Sequence, residues 1–174
     1  MFFFCVSPDL HYLCSAKIRK MIRLNLPPFP LKVQRQKSGL LIYDILRRRY
    51  VTLTPEEWVR QHFIHYLIDH QSYPAGLMAN EVSIRMPGNY HNTRRCDTVL
   101  YHKQDCVPQM LIEYKAPTVR LTQAIFNQVF AYNSVLRVPY LIMSNGLQHI
   151  CLQLDYDTLT YHTLPAVPHY EDLK

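Results

Sequence analysis

The 174-residue sequence predicts an α/β domain with a mixed central sheet flanked by helices, its elements running helix, three strands, helix, strand. Three observations predict it. "TPEEWVRQHFIHYLIDHQ" carries the cap and the spacing of an amphipathic helix. "NEVSIRM", "CDTVLYH" and "PQMLIEYK" follow as three strand-like runs. A second helical stretch, Arg120 to Leu136, then leads into the apolar run "PYLIMS". Composition agrees: 48% apolar and 18% charged residues describe a globular chain, long enough for one real core and too short for two large domains.

Residues 1–23 are expected to form a weakly ordered N-terminal extension, because "MFFFCVSPDLHYLCSAKIRK" shows no clean period and a second methionine, Met21, follows it. Residues 24–174 are expected to form the single domain. "LNLPPFPLK" is broken by prolines and must be extended. "GLLIYDILRRRYVTL" reads as two short strands around a turn at Arg47 to Arg49. In the first helix Thr54 caps, Pro55 suits the first helical position, and Glu57 completes a capping box. Val59, Phe63, Tyr66 and Leu67 make its buried stripe. A turn at "YPAG" leads to the three strands, the last two joined by "KQDC". Asn145-Gly146 is a hairpin signal, and "HICLQL" and "LTYHTL" add two further strands.

The net charge of +6 is unevenly spread: between Lys17 and Arg49 ten Lys or Arg residues face one acid, Asp44. That asymmetry suits a polyanion such as nucleic acid; a solvated basic face is the alternative. The five cysteines are odd in number and scattered, with no C-x-x-C pair, which argues against a disulfide framework or a cysteine zinc site. Reduced thiols fit a cytoplasmic setting. "MFFFCV" is too short to span a bilayer, so no membrane or export segment is expected. His62, His65 and His70 lack the H-E-x-x-H pattern and read as core or polar residues before metal ligands.

The run "QMLIEYKAP" poses the chemical question. It is apolar on both faces, yet it carries Glu113 and Lys115. Burying an unpartnered charge costs several kcal/mol, so something must pair with them. Alternation puts both on one side of the strand, about 7 Å apart. If the runs at 96–102 and 109–115 form a hairpin, their ends opposite the turn lie together and bring Asp97 beside the pair. Two carboxylates and an ammonium suit Mg²⁺ or Mn²⁺, hard cations that accept one or two carboxylates, waters and a substrate phosphate. Such an ion stabilises charge on a phosphoryl oxygen and lowers the pKa of a bound water. Lys115 would then hold or help activate that water and offset transition-state charge. The bland alternative is a salt bridge at the rim of a sheet. Arg94 and Arg95, just before Asp97, are well placed to touch a DNA backbone. Arg47, Arg48 and Arg49 suit phosphates or a solvated hairpin tip, and the 13 tyrosines offer stacking platforms as well as core residues.

"RCDTVLYHKQDCVPQMLIEYKAP" followed by "FNQVFAYNSVLRVPYLIMSNG" resembles the N-terminal nuclease domain of type I restriction enzyme R subunits, and more closely the small stand-alone bacterial forms of that family. The resemblance covers about residues 24–170. It implies a restriction-endonuclease-like αβββαβ core of the PD-(D/E)xK nuclease superfamily. It implies Asp97 as the metal-binding aspartate and Glu113 and Lys115 as the (D/E)xK pair. Gln128 and Tyr132, from Q-x-x-x-Y, are implied to support the site; spaced i,i+4, they share a helix face. The resemblance implies Glu81 as a further metal-binding residue, matching the additional acid that some members carry. Two departures stand out. Cys96, not proline, precedes Asp97, and no G-x-x-x-x-G-K-[ST] loop is present, so the sequence holds no ATP-driven motor.

Two functions compete on these grounds: a Mg²⁺-dependent endonuclease acting on DNA, alone or with other restriction or repair subunits and open to homo-oligomerisation, and a catalytically weak nucleic-acid-binding or adaptor domain. A purely structural protein with a salt-bridged sheet rim is a third.

Overall fold

A computed structural model of the chain describes residues 21–37, 39–87 and 93–173. The expected extension therefore lies, for residues 1–20, outside the described residues. Met21 is partly buried against the core.

A three-stranded antiparallel sheet comes first, from β1 (Val33–Gln36), β2 (Gly39–Asp44) and β3 (Arg49–Thr52), in that order. β2 and β3 match the expected hairpin. β1 lies just past the run expected to be extended and carried no expectation of its own; it becomes a strand because β2 offers it a free edge, pairing Val33 with Ile42 and Gln36 with Gly39. Helix α1 (Pro55–His70) follows, and then a six-stranded sheet with the sequential order β4 (Met78–Arg85), β5 (Thr93–Tyr101), β6 (Pro108–Tyr114), β7 (Tyr140–Ser144), β8 (His149–Asp155) and β9 (Thr160–Leu164). Only β6 and β7 are parallel, joined across helix α2 (Gln123–Leu136); the other pairs are antiparallel, which makes the sheet mixed as expected. α2 begins three residues later than the pattern suggests, with Thr122 at its N-cap.

The strands of the large sheet send alternate residues to two apolar layers. Met110, Ile112 and Tyr114 of β6 join Phe63, Ile64 and Leu67 of α1 in one cluster. Leu111 joins Ile125 and Val129 of α2 in the other. Glu113 has the same parity as Leu111, so it points toward α2. The first cluster also contains Ile42 from the small sheet. α1 is thus covered from both sides, and its burial exceeds the expected stripe: Glu57, Trp58, Arg60, Gln61 and His62 are buried along with Val59, Phe63 and Leu67, while Tyr66 is half-buried.

The cap of α1 forms only in part as expected. Thr54 Oγ1 accepts from the Glu57 amide at 3.0 Å. The Glu57 carboxylate does not return to Thr54; it binds Arg60, Gln61 and Arg47 instead, because two guanidinium groups outcompete one backbone amide for it. At the other end of β7, Gly146 has φ +80°, and a Cβ there would lie 2.7 Å from a methyl of Leu24. Glycine lets the β7–β8 turn meet the incoming chain, where the Asn25 amide bonds the Gly146 carbonyl at 2.7 Å.

Candidate active site

β5 and β6 pair with Thr98 opposite Ile112 and Val99 opposite Leu111. Beyond Thr98 the ladder is replaced by a side chain: Asp97 Oδ2 accepts from the Tyr114 amide at 2.8 Å. The carboxylate thereby stands at the end of the strand pair, next to the Glu113–Lys115 segment. On the other flank of β5, Glu81 of β4 falls between the pairs Asn80–Thr98 and Val82–Cys96, facing Asp97, and its φ of +60° marks a local break in the strand.

Glu113 is almost fully buried. Its Oε1 accepts from Lys115 Nζ and from Gln128 Nε2, each at 2.8 Å. Gln128 Nε2 also lies 2.9 Å from the Tyr132 hydroxyl, and Lys115 Nζ is 3.4 Å from Gln128 Oε1. The sequence-predicted Glu113, Lys115, Gln128 and Tyr132 are therefore one hydrogen-bonded chain running from β6 to one face of α2. Glu113 Oε2 is buried and accepts no hydrogen bond among the described residues.

Asp97 is held differently. Its Oδ1 accepts from Arg60 Nη2 at 2.5 Å. Arg60, buried in the first half of α1, also binds Glu81 Oε1 at 2.6 Å and Glu57 Oε2 at 3.0 Å. Glu81 Oε2 takes Arg95 Nη1 at 3.1 Å. Both oxygens of Glu81 are thus engaged by arginines. Arg47 turns inward to Asp44 and Glu57, whereas Arg48, Arg49 and Arg94 are exposed and Arg95, also exposed, keeps its bond to Glu81. Arg94 lines a cavity of about 460 Å³ with Met86, Gln128, Ala131 and Tyr132, so it opens beside the far end of the Glu113 chain.

Electrostatics follow from this packing. Burial, reinforced by the Asp97 charge, lifts the Glu113 carboxyl to about 7. Burial also raises Asp97 despite the opposing pull of Arg60. Lys115 loses solvation, but its bond to Glu113 and the charges of Glu56 and Asp97 outweigh that and hold it above the usual lysine value. Lys115 therefore stays a cation at neutral pH.

α1 supplies three groups that the sequence reading did not assign to the site: Glu56, Glu57 and Arg60. Glu56 is half-buried, and burial together with the nearby Asp97 raises its pKa. The available signal was the E-x-x-R spacing of Glu57 and Arg60, which joins the two across one helical turn at 3.0 Å.

Asp97 and Glu113 are the residues that would hold a hard divalent cation: Glu113 Oε2 is a buried acceptor without a hydrogen bond, and the Asp97 carboxylate would be a second oxygen ligand. Among the described residues no group of three or more His, Cys, Asp or Glu side chains is arranged to hold a metal ion; with two carboxylates as ligands, waters or substrate oxygens would complete the shell.

A mixed sheet with an apolar helix packed on each face, and two carboxylates and a lysine at one strand end, is consistent with a nuclease-like core. The chain belongs to the family of the type I restriction enzyme R protein N terminus, which matches residues 55–168, more than half of the sequence. Among solved structures it is similar to a fragment of an HsdR subunit of a type I restriction enzyme from Vibrio vulnificus YJ016, with a TM-score of 0.50 and 19% identity over 70% of this chain. The likeness covers 24% of that chain and concerns the fold. No curated protein matches. No helix among the described residues is long and apolar enough to cross a membrane.

Proposed function

We propose that the domain hydrolyses DNA phosphodiester bonds with Mg²⁺ or Mn²⁺, as an endonuclease-like module of a restriction or repair system. The observation that carries this reading is the contrast within one buried carboxylate. Glu113 Oε1 is bound by Lys115 and Gln128, while the buried Oε2 has no hydrogen-bond partner among the described residues. A structural salt bridge needs no such open oxygen, which is costly to bury.

In this reading Asp97 and Glu113 hold the cation, which when bound lowers the pKa of a water and offsets charge on the phosphoryl oxygens. Lys115, kept protonated, donates to the attacking water or to the phosphoryl oxygen on which charge grows; it does not take a proton. Gln128 fixes the Glu113 carboxylate, and Tyr132 fixes Gln128. Arg94 and Arg95 meet the DNA backbone near the scissile phosphate, with Arg48 and Arg49 as further exposed cations. DNA is the partner, with other restriction or repair subunits and a second copy of this chain compatible with it.

A catalytically weak DNA-binding or adaptor domain is the second reading, favoured by the direct Arg60–Asp97 pair, which already satisfies one oxygen of the aspartate. Incubating the purified protein with mixed linear, nicked and single-stranded DNA in Mn²⁺ separates the two. Cleavage by wild type, lost with Lys115→Ala and with chelator, supports hydrolysis; DNA binding without cleavage supports the adaptor.

A further inference from the structure

We infer that the outer face of the small sheet is a docking surface for single-stranded DNA, its unpaired bases lying on Tyr43 and Tyr50 and its phosphates on the exposed cations of this region. The inference takes DNA as the partner from the reading above but does not rest on hydrolysis. β1, β2 and β3 lie ahead of residue 55, where the family match begins. Their inner face serves the core: Ile42 is fully buried, and its partners Val33 and Val51 pack against the same cluster. Strand alternation therefore turns Leu41 and Tyr43, Gln34 and Gln36, and Tyr50 and Thr52 to the other face. All of these are half-buried or exposed.

Two features fix the chemistry of the occupant. Charge is the first. Between residues 21 and 54, Arg23, Lys32, Arg35, Lys37, Arg48 and Arg49 are exposed. The one acid of that stretch, Asp44, is fully buried and held by Arg47 and Asn80. A region whose exposed charges are all positive attracts a polyanion. Aromatic placement is the second. Tyr43 and Tyr50 are cross-strand partners with ring centroids 5.3 Å apart at 67°, and Lys32 Nζ lies 5.3 Å from the Tyr43 centroid. Aromatic rings beside a cation on an open sheet face form a platform for a stacked base and its phosphate, and the Gln34 and Gln36 amides can meet base edges. A duplex keeps the faces of its bases stacked inside and would use only the cations. A single strand uses both.

Fluorescence anisotropy of the full chain with labelled oligo(dT) of about ten nucleotides, and with a duplex of the same length, tests this. Both are titrated in chelator, so that no cleavage intervenes. Wild type should bind the single strand about tenfold more tightly than the duplex. Tyr43→Leu and Tyr50→Leu, which keep an apolar side chain in the sheet, should each weaken single-strand binding about tenfold and leave duplex binding unchanged. Arg35→Ala combined with Lys37→Ala, both exposed, should flatten the slope of log affinity against log salt by about 1.4, the share of two phosphate contacts with a single strand. Equal affinity for the two DNAs, or no binding to either, overturns the inference. So does single-strand binding that the tyrosine variants leave intact, which would reduce Tyr43 and Tyr50 to a cross-strand pair on a basic surface. An unchanged salt slope in the Arg35 and Lys37 variant overturns it as well. The hydrolytic reading stands through all of these, because cleavage in Mn²⁺ is judged separately on wild type and Lys115→Ala. If a tyrosine variant fails to fold, the wild-type preference and the Arg35 and Lys37 variant still decide.

Discussion

The two carboxylates at the centre of the site, Glu113 buried and Asp97 half-buried, have surroundings that differ in kind. Asp97 is tied on both oxygens, to the Arg60 guanidinium and to the Tyr114 amide. Glu113 is tied on one oxygen by Lys115 and Gln128 and is open on the other. The Asp97 half belongs to the architecture: it joins α1, β4, β5 and β6, and its hydrogen bond from the Tyr114 amide takes the place of a ladder bond where the strands part. The Glu113 half has acceptor capacity that the fold does not use. Stability is expected to depend on the first half and chemistry on the second.

The largest effect expected is on chemistry. Lys115→Ala should lower the DNA cleavage rate by about 10²–10³-fold, the range seen when one preorganised donor is removed, while chemical denaturation finds a smaller loss of stability than for Arg60→Met, because Glu113, lifted to about 7, can take up a proton when its partner is gone. Equal losses of both would erase the contrast between the halves. Arg60→Met comes next and acts on stability: it strands Asp97, Glu57 and Glu81 without their shared cation, and urea unfolding should register a loss of about 3 kcal/mol or more. A smaller loss would mean that solvent screens the network more than its burial implies.

Third in size is a pH effect. Glu113 titrates at about 7, and only its ionised form can ligate a cation. Below that value a proton competes with the ion; above it the carboxylate is free. Apparent Mn²⁺ affinity should rise about tenfold from pH 6 to pH 8 and level off above, measured calorimetrically at fixed ionic strength. A flat profile would place the ion away from Glu113. The smallest effect belongs to the edge of the chain. Tyr132→Phe deletes one hydrogen bond to Gln128, and should slow cleavage about fivefold, or about 1 kcal/mol, with DNA affinity unchanged. A larger fall in DNA affinity than in rate would move Tyr132 from supporting Glu113 to lining the Arg94 cavity as a DNA contact.

Much of this was legible from local pattern. The strand-like runs at 80–86, 96–102 and 108–115, the capped helix at 55 and the Asn-Gly turn each announce themselves within a few residues. Strand alternation fixes the shared side of Glu113 and Lys115, and i,i+4 spacing the shared helix face of Gln128 and Tyr132; that these two pairs meet was implied only by the family resemblance. What local pattern could not convey was the use of α1. Arg60 looks like a solvated helix residue until the small sheet covers the helix from behind, leaving its charge no outlet but inward. Glu57 likewise looked like half of a capping box until two arginines reached it. β1, four residues with one hydrophobic side chain, had no signature of its own and exists because β2 offered an edge.

The sequence by itself determined the order of elements, the sign of the charge balance and the shared strand side of Glu113 and Lys115, because periodicity and caps act over a handful of neighbours. Tertiary structure alone decided which cation each carboxylate meets. Arg60 and Asp97 are 37 positions apart, and their pairing at 2.5 Å is set by the packing of a helix across a sheet. No short-range rule encodes that distance.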